Sequence, residues 1–217
     1  VNIDSLAAYN HIKEQGYKIK SYAVDNPEAD YRATNILYSS AETRFDVESC
    51  GGVDEGYATH ILGRGNILNI TAALAVAEHL GISAESRRRA VRQIEQVEHR
   101  LSMRRNGGIT ILDDAYNSNP EGARMALEVL RGFNTAGRKY VVTPGFVEMG
   151  AKQFDNNRAF GGDIARSGAD GVYVVNEVNR EAITAGLSEG GYPDAQVECV
   201  ASFTEAMASL QPKLKAG

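Results

Sequence analysis

The residues best suited to chemistry stand together in Asp113-Asp114-Ala115-Tyr116-Asn117-Ser118-Asn119-Pro120. Two acids follow the apolar run Ile109–Leu112, which reads as a buried strand, and a helix start follows them. In an open sheet of parallel strands, ligands bind outside the carboxyl ends of the strands. An aspartate placed there accepts ribose hydroxyls or holds a cation, and asparagine amides both donate and accept. A plainer reading stays open: Asp113 and Asp114 end a strand, Tyr116 packs on the next helix, and Asn119 caps it. Three other segments carry candidate polar groups. Gly63-Arg64-Gly65-Asn66-Ile67-Leu68-Asn69 leads into an alanine-rich helix, so Asn66 and Asn69 lie near a helix N-terminus, with Asn66 alternatively a simple N-cap. Arg100, in Val97-Glu98-His99-Arg100-Leu101, is a cation beside a domain boundary, and an interdomain ion pair is its other reading. Glu148 sits in Thr143-Pro144-Gly145-Phe146-Val147-Glu148-Met149-Gly150, a loop after a strand, and is otherwise a solvated acid. His99 reads as structural.

The elements that must position these groups change character along the chain. Periodicity predicts a helix over 5–15, strands over 17–24, 29–37, 43–49 and 57–62, a small-residue helix ended by Gly81, and a charged helix over 83–97. Arg87-Arg88-Arg89 reads as a solvated face of that helix. Beyond residue 106, strand and helix patterns alternate four times, at 109–112, 140–142, 172–175 and 197–200 for the strands. Parallel strands need crossovers, so this alternation predicts an α/β fold with a parallel sheet. A boundary is expected near the polar, glycine-rich turn Arg104-Arg105-Asn106-Gly107-Gly108, which divides the chain into 1–103 and 104–217.

Composition excludes several classes. With 43% hydrophobic and 24% charged residues in 217, the chain is of ordinary globular composition and can hold one large domain or two small ones, each with its own core. A net charge of -5 argues against nucleic acid or an anionic membrane as partner, yet allows a phosphorylated ligand bound by backbone amides and a few arginines. Cys50 and Cys199 are far apart, belong to no metal-binding spacing, and read as small core residues. No apolar run reaches the ~20 residues of a membrane span and no signal peptide opens the chain, so the cytoplasm is the expected compartment. The first residue is Val1 rather than Met, and the expectation is a piece of a longer chain.

The octapeptide 113–120 resembles the Asp-Asp-x-Tyr/Phe-Asn-x-Asn-Pro signature of Mur ligases of the MurF type. Residues 63–69 resemble that family's Gly-x-His-Asn-x-x-Asn element, 97–101 its interdomain arginine motif, and 143–150 its Thr-Pro-Gly-Met-Val-Glu-Leu-Gly loop. The resemblance implies part of a central ATP-binding domain over 1–103, followed by a Rossmann-like C-terminal domain with a mainly parallel sheet. It implies Asn66 and Asn69 beside adenine, Arg100 on ribose or phosphates, and Asp114 on the ribose hydroxyls. Tyr116, Asn117, Asn119 and Glu148 would face the substrates, UDP-MurNAc-tripeptide and D-Ala-D-Ala, with ATP and Mg2+ as cofactors and closure of two domains shutting out water. Gly65 and Ala151 depart from the family pattern, where His and Glu are usual. No Gly-x-x-x-x-Gly-Lys-Ser/Thr loop occurs in the 217 residues, so the chain alone is expected not to turn over ATP. A folylpolyglutamate synthase-like amide ligase and a non-catalytic nucleotide- or protein-binding module are the alternatives.

Overall fold

The computed structural model describes residues 1–39, 41–116, 118–133 and 135–215, and the chain divides into two compact units, Val1–Gln96 and Val97–Gly217.

In the first unit, β1 (Tyr22–Ala23) runs parallel to β2 (Tyr31–Tyr38), and β3 (Thr43–Ser49) and β4 (Gly52–Thr59) continue the sheet antiparallel. Period-two alternation turns Tyr31, Ala33, Phe45 and Val47 to one face. Helix α1 (Leu6–Glu14) buries no residue, whereas α2 (Arg64–His79) packs on the sheet through Ile67, Ile70, Thr71 and Leu74, spaced i, i+3, i+4 and i+7. Phe45 and Tyr57 stack at 5.3 Å within this core. Helix α2 begins at Arg64, directly after Gly63, and Gly81 ends it with a φ of +77°.

Several expectations for this unit are corrected. Only Tyr22–Ala23 of the 17–24 segment is strand; just before it, the Asp30 carboxylate takes the Ser21 N–H and hydroxyl and the Lys20 ammonium. The strand expected over 57–62 starts earlier, at Gly52, and its polar, glycine-containing first half hid it. Helix α3 (Ala84–Arg92) stops short of residue 97. Ile94 and Val97 continue the apolar spacing of Val91, yet both are exposed while Val91 is buried. Arg87 is not on a solvated face. It is buried, donating to Asp54 Oδ2 at 2.9 Å, Tyr57 Oη at 3.3 Å and the Ile82 carbonyl at 2.9 Å, and it pairs with Glu78 at 3.1 Å. Arg88 also pairs with Asp54. Burial pulls the Asp54 carboxyl upward, but hydrogen bonds from Tyr57 and Arg87 and the Arg88 charge outweigh it and hold its pKa below the ordinary value. Burial and the bond to Asp54 push Tyr57 up to about 12. Both cysteines are exposed rather than core: Cys50 lies at the β3–β4 turn and Cys199 on an outward position of an edge strand.

In the second unit, β5 (Ser102–Asn106) and β6 (Ile109–Asp113) form an antiparallel hairpin. Its two-residue turn, Gly107-Gly108, has φ of +58° and +81°, as tight hairpin turns require. Residues 109–113 therefore do not open the parallel sheet as the sequence suggested. The polar Met103–Asn106 stretch pairs with them, and Ile111 is exposed. After α4 (Pro120–Gly132), the strands β7 (Tyr140–Thr143), β8 (Gly171–Val175) and β9 (Val197–Val200) form a parallel sheet in that order, joined by α5 (Gln153–Ala165) and α6 (Arg180–Glu189) and followed by α7 (Phe203–Leu210). Central β8 is buried on both faces. Val172 and Val174 join Leu127, Phe160, Ile164 and Ile183, while Tyr173 and Val175 join Ala206 and Leu210 under α7. Helices α5 and α6 touch backbone to backbone, because a Cβ on Gly186 would stand 1.8 Å from the Arg158 carbonyl oxygen. Among the described residues no helix is long and apolar enough to cross a membrane.

Candidate functional site

The hairpin register builds the site. Ser102 pairs with Asp113, so the residues just before β5 lie beside those just after β6. Three bonds fasten the two segments. Tyr116 N–H donates to the His99 carbonyl at 3.0 Å, and Leu101 N–H donates to Asp114 Oδ1 at 3.0 Å. His99 Nδ1 lies 2.8 Å from Asp113 Oδ2, and because a carboxylate oxygen accepts, Nδ1 carries the hydrogen. The Arg100 guanidinium is thereby laid over the Tyr116 ring, 4.6 Å from its centroid. Such a contact is worth about 0.5–1 kcal/mol at an exposed site. Tyr116 is 66% exposed, and the Arg100 guanidinium makes no hydrogen bond or ion pair among the described residues. A cation with all its donors unspent, resting on an exposed aromatic face, can take an anion and a flat ring together.

Asp114 is half-buried behind this platform. Burial raises its carboxyl pKa above the ordinary value and the Asp113 charge adds to that, against the Leu101 N–H bond and the Arg100 charge. The carboxylate adjoins the first turn of α4: a Cβ on Gly122 would stand 3.5 Å from both Asp114 Oδ2 and Asn119 Nδ2. Asn119 is the N-cap of α4, accepting from Gly122 N–H at 2.9 Å, with Pro120 as the first helical residue. The Tyr116 ring faces Arg100. Asn117 lies outside the described residues.

Glu148 stands on a different loop. After β7, Phe146 N–H donates to Asn157 Oδ1 at 2.8 Å, Asn157 Nδ2 donates back to the Phe146 carbonyl at 3.0 Å, and Asn179 Nδ2 donates to the Pro144 and Phe146 carbonyls at 2.9 Å each. Both asparagines are buried and bonded to each other at 3.1 Å. This clamp presents an exposed Glu148 with a φ of +62°. No hydrogen bond or ion pair ties Glu148 to Arg100, Asp114 or Tyr116 among the described residues.

In the first unit, Asn66 and Asn69 share the face of the first turns of α2. Asn66 is not the N-cap, which is Gly63; its Nδ2 donates to the Leu62 carbonyl at 2.7 Å, and Asn69 is exposed. Sequence reasoning missed the His99–Asp113 pair and the Asn157–Asn179 clamp, each of which joins residues with no local pattern in common. Among the described residues no three His, Cys, Asp or Glu side chains converge as a metal site would need.

Two family models cover the chain: the Mur ligase middle domain matches residues 1–77, and the Mur ligase glutamate ligase domain matches residues 99–217. A UDP-N-acetylmuramoyl-tripeptide--D-alanyl-D-alanine ligase of Bacillus subtilis is 24% identical over 84% of the chain and 38% of its own length. A UDP-N-acetylmuramate--L-alanine ligase of Brucella anthropi is 32% identical over 85% of the chain and 41% of its own length. The crystal structure of MurF ligase from Thermotoga maritima in complex with ADP superposes with a TM-score of 0.81 at 21% identity, over 99% of this chain and 46% of that one. The chain thus spans about two fifths of the length of the curated relatives it matches.

Proposed function

The chain belongs to the Mur ligase family, and from that premise we propose that it is part of an ATP-dependent amide ligase joining D-Ala-D-Ala to a UDP-MurNAc-tripeptide. The observation that carries the nucleotide half of this reading is the uncommitted Arg100 guanidinium on the exposed Tyr116 ring, with the Asp114 carboxylate alongside. Arg100 takes nucleotide phosphate or ribose oxygens, and Asp114 Oδ2 accepts from ribose hydroxyls. Asn66 and Asn69 are assigned to adenine, and Tyr116, Asn117, Asn119 and Glu148 to the two substrates being joined. Residues 1–103 are assigned to the central domain and 104–217 to the C-terminal one.

In the reaction, an oxygen of the tripeptide's terminal carboxylate attacks the γ-phosphorus of ATP, giving an acyl phosphate and ADP. The amine of D-Ala-D-Ala then attacks the acyl carbon. The tetrahedral intermediate collapses with loss of phosphate, and the amine proton passes to solvent or base. Catalysis of this kind rests on positioning and on charge stabilisation. Magnesium accompanies ATP in such chemistry, and no residue of this chain is assigned to it.

A second reading has its own support: the higher identity to the L-alanine ligase favours L-alanine as the amine and UDP-MurNAc as its partner. The deciding experiment offers the protein purified from its native cells ATP with each acceptor and amine pair and follows phosphate release and product mass. Ligation of D-Ala-D-Ala is expected. Ligation of L-alanine alone would install the second reading, and phosphate release with neither pair would overturn both.

A further inference from the structure

Arg100 is flanked by two residues in the left-handed region, His99 at φ +61° and Leu101 at φ +48°. Residues other than glycine, asparagine, aspartate and histidine seldom adopt that conformation, and a bulky leucine such as Leu101 does so only where its surroundings overdetermine it. Here the surroundings are specific. Leu101 is buried at 2% exposure, and its N–H is taken by Asp114. The His99 N–H approaches the hydroxyl of buried Ser102 at 3.3 Å, its carbonyl accepts from Tyr116, and its imidazole is held by Asp113, whose side chain is only 19% exposed. Arg104 approaches the same Asp113 oxygen at 3.7 Å. The two consecutive aspartates thus grip opposite flanks of Arg100, one through a side chain and one through a backbone amide.

We propose that His99 and Asp113 are a positioning pair: together with the Asp114–Leu101 bond they hold residues 99–101 in a strained bend that projects Arg100 onto Tyr116 as the nucleotide-contacting cation. The inference deepens the nucleotide reading above and rests on it for the ligand, while the bend and the stacking stand on geometry alone. Asp113 touches no ligand in this account. Its work is done through His99, and the work of His99 through Arg100.

The test has two readouts on the 217-residue chain. In ligand-free protein, the Tyr116 ring current displaces the Arg100 side-chain proton signals. They return to random-coil positions in His99→Ala and in Asp113→Ala, and stay displaced in Asp113→Asn, whose amide oxygen still accepts from Nδ1–H. Unchanged Arg100 signals in both alanine variants, with the rest of the amide spectrum intact, would overturn the proposal. The second readout is ADP affinity. It falls about fivefold in His99→Ala, no further in His99→Ala/Asp113→Ala, and not at all when His99→Ala is added to Arg100→Ala. Additive losses would show that His99 acts other than through Arg100. Failure of the wild-type chain to bind ADP, with the signals responding as described, would remove the nucleotide reading and leave the positioning pair standing.

Discussion

Replacing Gly145 by alanine strikes the loop that presents Glu148, and its cost can be worked from the structure. Gly145 has φ +75°, and a Cβ there would lie 2.3 Å from Asn157 Oδ1 and 2.9 Å from Ile183 Cδ1. The left-handed conformation costs an alanine about 1 kcal/mol. Asn157 cannot swing aside, because its amide is bound to the Phe146 carbonyl, the Gln153 carbonyl and Asn179 Oδ1 at 2.8–3.1 Å. Displacing a side chain locked in a packed interior adds about 1–3 kcal/mol. The sum, about 2–4 kcal/mol, lowers the unfolding midpoint of the 97–217 unit by roughly 10 °C. Differential scanning calorimetry on wild type, Gly145→Ala, Asn157→Ala and the double variant checks it. Because Asn157→Ala removes the obstructing oxygen, the double variant must lose less than the sum of the singles by about 1 kcal/mol or more. A Gly145→Ala chain that melts with wild type, or strictly additive losses, would refute the clamp as the cause.

Further outcomes follow from other contacts of the structure. Arg87→Ala breaks a buried ion pair and should cost about 3 kcal/mol in the 1–96 unit. Asp54 is held below its ordinary pKa, so the stability it contributes is present above ~pH 4 and lost as pH falls through its folded value; thermal melts across pH should show the gap to wild type closing in acid. Asp114 has the opposite sign. Its folded pKa is raised, so stability falls as pH climbs through it, and Asp114→Asn should melt no lower than wild type at pH 7, with the difference vanishing below ~pH 4. The same variant should bind ADP about tenfold more weakly by calorimetric titration, a loss of function without a loss of fold. Arg100→Lys keeps the charge but not the planar fork, and should lose most of the ADP affinity that Arg100→Ala loses.

What could be read from the sequence was what local patterns encode. The apolar run 172–175 marked a strand, and the small-residue pattern ended by Gly81 marked the helix α2. The Asn119-Pro120 pair marked the start of α4 because an N-cap and a first-turn proline act within four residues. Strand β5 escaped because Arg104-Arg105-Asn106 has the composition of a turn, and with it went the register that sets His99 against Asp113, fourteen residues away. Arg87 sat in an arginine triplet that reads as a solvated face; only the fold brings Asp54 and Glu78 around it. Asn157 and Asn179 carry no signal at all, since a lone asparagine in or before a helix commonly faces water. Arg100, Asp114 and Tyr116 could be singled out as residues, but their mutual geometry came from backbone pairing that composition does not reveal.

The most direct test of the account is an ADP titration of the isotopically labelled chain followed by NMR. The account predicts that the Arg100 side chain, the Leu101 amide and the Tyr116 ring shift together on a single saturating curve, and that Arg100→Ala moves the Leu101 and Tyr116 curve to much higher ADP concentration. Shifts confined to other surfaces, or a curve unchanged in Arg100→Ala, would contradict the assignment of this platform to the nucleotide.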